Sequence, residues 1–169
     1  MSSPLSLTKD VETGRPGFDV PAKRKVEPVM NEIREVIERK AALLETGDVK
    51  AVLSHYADTF VEYSLAPPLR QPGDGRDPAV LAAWVATFQA PPRREVTQLE
   101  ITADGDVAFA TSIDCLSATP RGSNESFSLW FRVTLGLRRI DGRWLVTHEH
   151  ESVPFEMDGS FRASVTLLP

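Results

Sequence analysis

The sequence predicts an α+β domain, with helices in its first half and an antiparallel sheet in its second. Two observations carry that prediction. Apolar residues recur at spacings of three and four up to about residue 90 and alternate at spacings of two beyond it. The alternating stretches are also joined in pairs by Asp-Gly, at 104–105 and 141–142, the strongest short-range hairpin signal. Helices followed by hairpin-linked strands give segregated layers rather than a parallel α/β sheet.

The elements follow in order. Residues 1–27 are rich in proline, glycine and charge, lack either period and read as an N-terminal arm. Pro28 suits the first position of a helix whose apolar stripe runs through Val29, Ile33, Val36, Ile37, Lys40, Ala41 and Leu44. Gly47 suits the end of that helix, and Asp48 can cap a short second one over 49–57. "FVEYSL" (60–65) alternates as a strand. Asp77-Pro78 opens a third helix over 79–88, which Pro91-Pro92 stops. Four strands follow, over 94–103, 106–119, 125–140 and 143–155, and residues 156–169 form a C-terminal extension.

Composition bounds the function. A chain of 169 residues with 41% hydrophobic content suits one domain, here 28–155. Its 19 basic and 24 acidic side chains, a net charge of −5, argue against nucleic acid and anionic membrane as partners. The single cysteine, Cys115, forbids an internal disulfide, and no apolar run reaches the roughly 20 residues of a membrane span or resembles a signal peptide. A cytoplasmic protein is expected.

The two Asp-Gly turns assign faces to the strands. If Asp141-Gly142 is a two-residue turn with no irregularity beyond it, Leu135 lies opposite His148 and Val133 opposite His150. Both imidazoles then share the apolar face with Phe131, Trp144 and Val146. By the same rule Ile101 pairs with Ala108, Thr97 with Ser112 and Glu95 with Asp114. The small residues Ala108, Ala110 and Ser112 would leave a hollow above the sheet. The expected pocket therefore has Phe131, Val133, Leu135 and Trp144 as its wall. His148, His150 and Asp114 are its acid/base candidates, because a histidine held near a carboxylate in a dry site can be tuned to work near neutral pH. Tyr63, Lys40 and Trp84 are candidate ligand contacts. The alternative for the histidines is a structural role, each donating to a carbonyl or a tyrosine. A metal held by His148, His150 and either Asp114 or Glu95 is not expected, nor is a cofactor. Trp130, Phe109, Ile113 and Leu145 fall on the opposite face, whose apolar area suggests a homodimer. The loops 66–76 and 117–126 are expected to flank the pocket.

The segments "GDVKAVLSHYADTFVEYS" and "VTLGLRRIDGRWLVTHEHESVPF", in this order around a further helix, resemble the SnoaL-like superfamily, which includes nuclear transport factor 2, scytalone dehydratase and ketosteroid isomerase. The resemblance spans roughly residues 28–155. It implies a cone, a strongly curved mixed sheet wrapped around the N-terminal helices. It also implies one of three functions: a cofactor-free lyase, isomerase or cyclase acting on a small apolar molecule; a binding module for such a molecule; or an assembly domain like the association domain of calcium/calmodulin-dependent kinase II. Steroid isomerases of the superfamily use a phenol, a carboxylate base and a protonated carboxylic acid. The corresponding positions here are Lys40, Tyr63 and the stretch 134–136, so that mechanism is not implied.

Overall fold

The computed structural model describes residues 23–71 and 77–169, with side chains from Glu27 onward. The expected arm therefore lies outside the described residues as far as position 22, as does the 72–76 part of the first expected loop. The elements are α1 (Lys23–Leu44), α2 (Val49–Leu53), β1 (Tyr56–Tyr63), α3 (Pro78–Val85), β2 (Arg93–Asp104), β3 (Val107–Ala118), β4 (Phe127–Ile140) and β5 (Arg143–Ser152). The strands form one curved, open sheet in the order β1-β5-β4-β3-β2, antiparallel except for the β1–β5 pair.

Local chemistry accounts for most boundaries. α1 begins at Lys23, five residues before the expected start, with Pro28 inside it. It stops before Gly47, whose φ of +71° suits a residue without a Cβ. The Asp48 carboxylate accepts from the Ala51 amide at 3.0 Å and the Asp77 carboxylate from the Ala79 amide at 2.8 Å, so both later helices start at a capping aspartate. α2 ends earlier than its apolar pattern suggests, because Tyr56 and Ala57 already belong to β1.

The core lies between α1 and the concave face of the sheet. Ile33 and Ile37 are buried with Ala110, Phe131, Val133, Leu135, Leu137, Trp144 and Val146 in one cluster. Burying such a side chain fully is worth about 1.5–3 kcal/mol, so two isoleucines a turn apart fix the seat of α1 firmly. Ala110, expected under a hollow, and Phe131, Val133, Leu135 and Trp144, expected as a pocket wall, are thus buried in the same cluster as the two isoleucines of α1.

Both hairpins depart from simple alternation. In the first, the strands close one residue later than expected, with Asp104 opposite Val107. A one-residue bulge follows in β2 between Thr97 and Glu100, where Gln98 takes a φ of +50°. Beyond it Val96 faces Asp114 and Arg94 faces Leu116, so Glu95 does not oppose Asp114. In the second hairpin Ile140 pairs with Arg143 as expected and Leu137 with Val146, but Gly136 then pairs with His148. Thr147 is the extra residue of a bulge.

Candidate functional site

Since successive side chains alternate faces, one extra residue inverts everything beyond it. Past the Thr147 bulge, Glu149 and Glu151 stand opposite Leu135 and Val133 on the concave face, while His148 and His150 stand opposite Gly136 and Thr134 on the convex face. The expected placement of the two histidines inside the cone is thus corrected. Gly136 is the local cause: a Cβ there would lie 3.2 Å from the His148 Cβ, and the Thr147 hydroxyl donates to the Gly136 carbonyl at 3.2 Å. A glycine within a strand pattern is a bulge signal, and it was available in the sequence.

The Gln98 bulge does the same for β2. Continuing the inner face of Ile101 without a bulge would turn Glu95 inward; with it, Val96 and Arg94 face the interior, and Glu95 is an exposed residue beside Arg93. The two bulges bring opposite charges to one place. Arg94 spends each guanidinium nitrogen on a different carboxylate, Nε on Asp114 at 2.7 Å, Nη1 on Glu151 at 2.9 Å and Nη2 on Glu149 at 3.1 Å. Lys40 donates to Glu149 at 2.6 Å and to the Tyr56 hydroxyl at 3.0 Å, and Tyr56 in turn donates to Glu149. The Ser112 hydroxyl donates to Asp114 at 2.6 Å, and the Arg94 guanidinium lies over the Phe131 ring, 5.2 Å from its centroid. Lys40, Asp114 and Glu149 are each at most 3% exposed.

Glu62 completes the group. It pairs with Glu149 in the parallel β1–β5 register, so both carboxylates are on the concave side. The inner face thus collects four carboxylates, Glu62, Asp114, Glu149 and Glu151, around two cations, Lys40 and Arg94. That imbalance sets the titration. Burial alone would raise Glu149, but the charges of Lys40 and Arg94 and the hydrogen bonds from Lys40 and Tyr56 outweigh it and hold the carboxyl at about 2. Glu62 has the opposite fate: burial, then the negative charges of Glu149 and Glu151, push it up to about 7. Glu151 is also raised, first by burial and then by Glu149, against the pull of Arg94. Arg94, although burial opposes its charge, is held more firmly protonated by Glu151, Glu149 and Asp114.

Of the residues expected in the site, Asp114 and Lys40 meet in this network. Tyr63 does not: it is on the convex face, its ring edge-on to His148 and His150 with centroids 5.5 and 5.6 Å away. Trp84 belongs to another aromatic group, packed edge-on against Phe88, which in turn meets Phe127. Glu62, Arg94, Glu149 and Glu151 escape strand alternation because each lies beyond an irregularity in its ladder. The sheet splits the two histidines from Asp114, and among the described residues no group of three or more His, Cys, Asp or Glu side chains is disposed to hold a metal. Two surface depressions, of about 240 and about 570 Å³, are lined by residues of α2 and α3 and by the convex face near Arg138 and Arg143; neither includes a member of the charged group. No helix of the described residues is long and apolar enough to cross a membrane.

Comparison with known proteins agrees with the architecture. No curated protein sequence matches the chain. Among solved structures, an NTF2-like protein of unknown function from Pseudomonas putida KT2440 superposes with a TM-score of 0.73 at 29% identity, over 85% of this chain and 98% of that one. An NTF2-like protein with a cystatin-like fold from Novosphingobium aromaticivorans gives 0.62 at 18% identity, over 80% and 86% of the two chains. A protein of the same organism provisionally named a scytalone dehydratase gives 0.68 at 14% identity, over 81% and 91%. At these lower identities the likeness is one of fold. The family model for the SnoaL-like domain matches residues 33–156, from the first buried isoleucine of α1 to just past β5, and the chain therefore belongs to the SnoaL-like family.

Proposed function

We propose that this SnoaL-like domain is a cofactor-free enzyme of the lyase or isomerase type that moves a proton on a small, mostly apolar molecule, with Glu62 as the acid/base group. The observation that carries this reading is the Glu62–Glu149 pair. Two carboxylates that are register neighbours on β1 and β5 are pushed apart in titration, to about 7 and about 2. Such a separation is how neighbouring carboxyls take different roles, one fixed in charge and the other able to give or take a proton near neutral pH. Lys40 and Arg94 are positioning residues: they keep Glu149 ionised, and burial together with the charge of Glu149 keeps Glu62 raised. Among the described residues no hydrogen bond engages the Glu62 carboxyl, which is half-buried at the end of an edge strand. The dehydratase name carried by one structural neighbour fits this class of chemistry.

The packing favours a second reading. Phe131, Val133, Leu135 and Trp144 are buried in the core with α1, and neither of the two depressions described above includes Glu62. The ion network would then be a polar core, and the domain a binding or assembly module. Mass spectrometry of small molecules that co-purify with the full chain supplies the candidate substrate, and turnover of it by wild type and Glu62→Gln separates the readings. Turnover with a pH midpoint near that of Glu62, lost in the variant, supports the enzyme. Turnover unchanged in the variant removes Glu62 from the chemistry, and a bound molecule that is never converted favours the binding module.

A further inference from the structure

β1 is an edge strand held to the sheet by few register pairs. Tyr56 lies opposite Val146; after an irregular stretch, Val61, Glu62 and Tyr63 lie opposite His148, Glu149 and His150. Parallel pairing is slightly weaker per residue than antiparallel, and short edge segments open locally at a fraction of the global unfolding cost. The two faces of this short join work against each other. On the convex face Tyr63 packs edge-on against both imidazoles. On the concave face Glu62 is directly opposite Glu149, with Glu151 two residues further along β5, and like charges in opposed positions destabilise a strand pair.

The groups facing Glu62 come from every element around it. β5 supplies Glu149 and Glu151, α1 supplies Lys40 and β2 supplies Arg94; Tyr56 of its own strand is bonded to Glu149, and Asp114 of β3 lies across Arg94. Both cations are already engaged, Lys40 by Glu149 and Tyr56, and Arg94 by three carboxylates. Ionised Glu62 thus adds a negative charge to a group in which carboxylates already outnumber cations.

We propose that the end of β1, Val61–Tyr63, is a proton-controlled latch on β5: it stays paired while Glu62 keeps its proton, and ionisation of Glu62 against Glu149 and Glu151 releases it, exposing the charged interior at that edge of the sheet. The latch does not depend on Glu62 handling a substrate proton, so it stands or falls separately from the acid–base reading.

The direction with pH follows from linkage. Closed, Glu62 titrates at about 7; released into water it returns towards the ordinary glutamate value of about 4.3. Opening therefore releases a proton, so the opening equilibrium rises with pH between those two values, by up to about tenfold per unit, and levels off above the upper one. The Gln71 amide, which donates to the Glu62 carbonyl at 3.1 Å, reports on the same movement.

Amide hydrogen exchange of the full-length protein between pH 5 and pH 8, corrected for the pH dependence of chemical exchange, tests this. The amides of Val61, Glu62, Tyr63 and Gln71 should lose protection about tenfold or more between pH 5 and 7 and change little above, while β3 and β4 stay constant. Glu62→Gln should abolish the dependence, and Glu151→Gln should move its upper end to lower pH. Tyr63→Ala should raise opening at every pH without changing the slope. Protection in β1 that is independent of pH, or a slope in Glu62→Gln equal to that of wild type, would overturn the latch.

Discussion

Replacing Lys40 with methionine tests the physics of the network most directly. The ammonium lies 2.6 Å from the Glu149 carboxylate, with side chains only 4% and 2% exposed. At an effective dielectric constant of about 20 the gross attraction is about 6 kcal/mol, of which desolvation of the two ions removes a large share. The titration of Glu149 points the same way. Its fall from the usual 4.5 to about 2 means that the pull of Lys40, Arg94 and Tyr56 together exceeds the cost of burial. Breaking a buried pair costs about 3–5 kcal/mol, and because Lys40→Met leaves Glu149 with Arg94 and Tyr56 the expected loss is at the low end, about 3 kcal/mol. That is a large part of the roughly 5–15 kcal/mol that stabilises a domain.

Urea denaturation followed by tryptophan fluorescence, with Trp144 buried in the core, measures the loss. The penalty should be greatest at pH 7 and shrink as pH falls, because protonated Glu149 no longer needs a cation. The double variant Lys40→Met, Glu149→Gln should recover part of the single-variant loss at pH 7, since it leaves no uncompensated charge at that pair. A Lys40→Met penalty below about 1 kcal/mol, as for an exposed pair, or strictly additive losses in the double variant, would refute the reasoning.

Other outcomes follow from the same contacts. Glu149 has a depressed pKa, so its contribution is complete above about pH 4.5 and is lost as pH falls towards 2; acid denaturation of Glu149→Gln should show a smaller drop across that window than wild type. Deleting Thr147 removes the bulge and turns Glu149 and Glu151 outward, leaving Lys40 and Arg94 buried without them. The deletion should cost more than about 5 kcal/mol, and a variant with wild-type melting temperature would refute the account of the bulge. Gly136→Val must place a Cβ about 3.2 Å from that of His148, and a thermal melt should show destabilisation of about 1–3 kcal/mol. The convex face carries Phe109, which is 54% exposed, with Trp130, Ile113 and Leu145, and we expect a homodimer through it; sedimentation showing only monomer at micromolar concentration would count against that interface.

What the sequence alone determined is whatever depends on local period and composition. The spacing of Ile33, Ile37, Ala41 and Leu44 marks the buried stripe of α1, the aspartates at 48 and 77 mark helix starts, and the Asp-Gly pairs mark both hairpins. The order of these elements was enough to resemble the SnoaL-like superfamily. Lys40 also belonged to that stripe, and its burial follows from it. The site was different, because its composition depends on two bulges. Strand alternation has period two, so each inserted residue exchanges one face for the other, and both bulges lie between the turn that sets the register and the charged residues beyond it. Counting from Asp141-Gly142 puts His148 and His150 inside and treats buried Glu149 and Glu151 as prohibitively costly. That cost is real only for unpaired carboxylates. Lys40 comes from a helix more than a hundred positions earlier and Arg94 from the far edge of the sheet, and only the tertiary structure brings both to the point where they make the burial of those glutamates favourable.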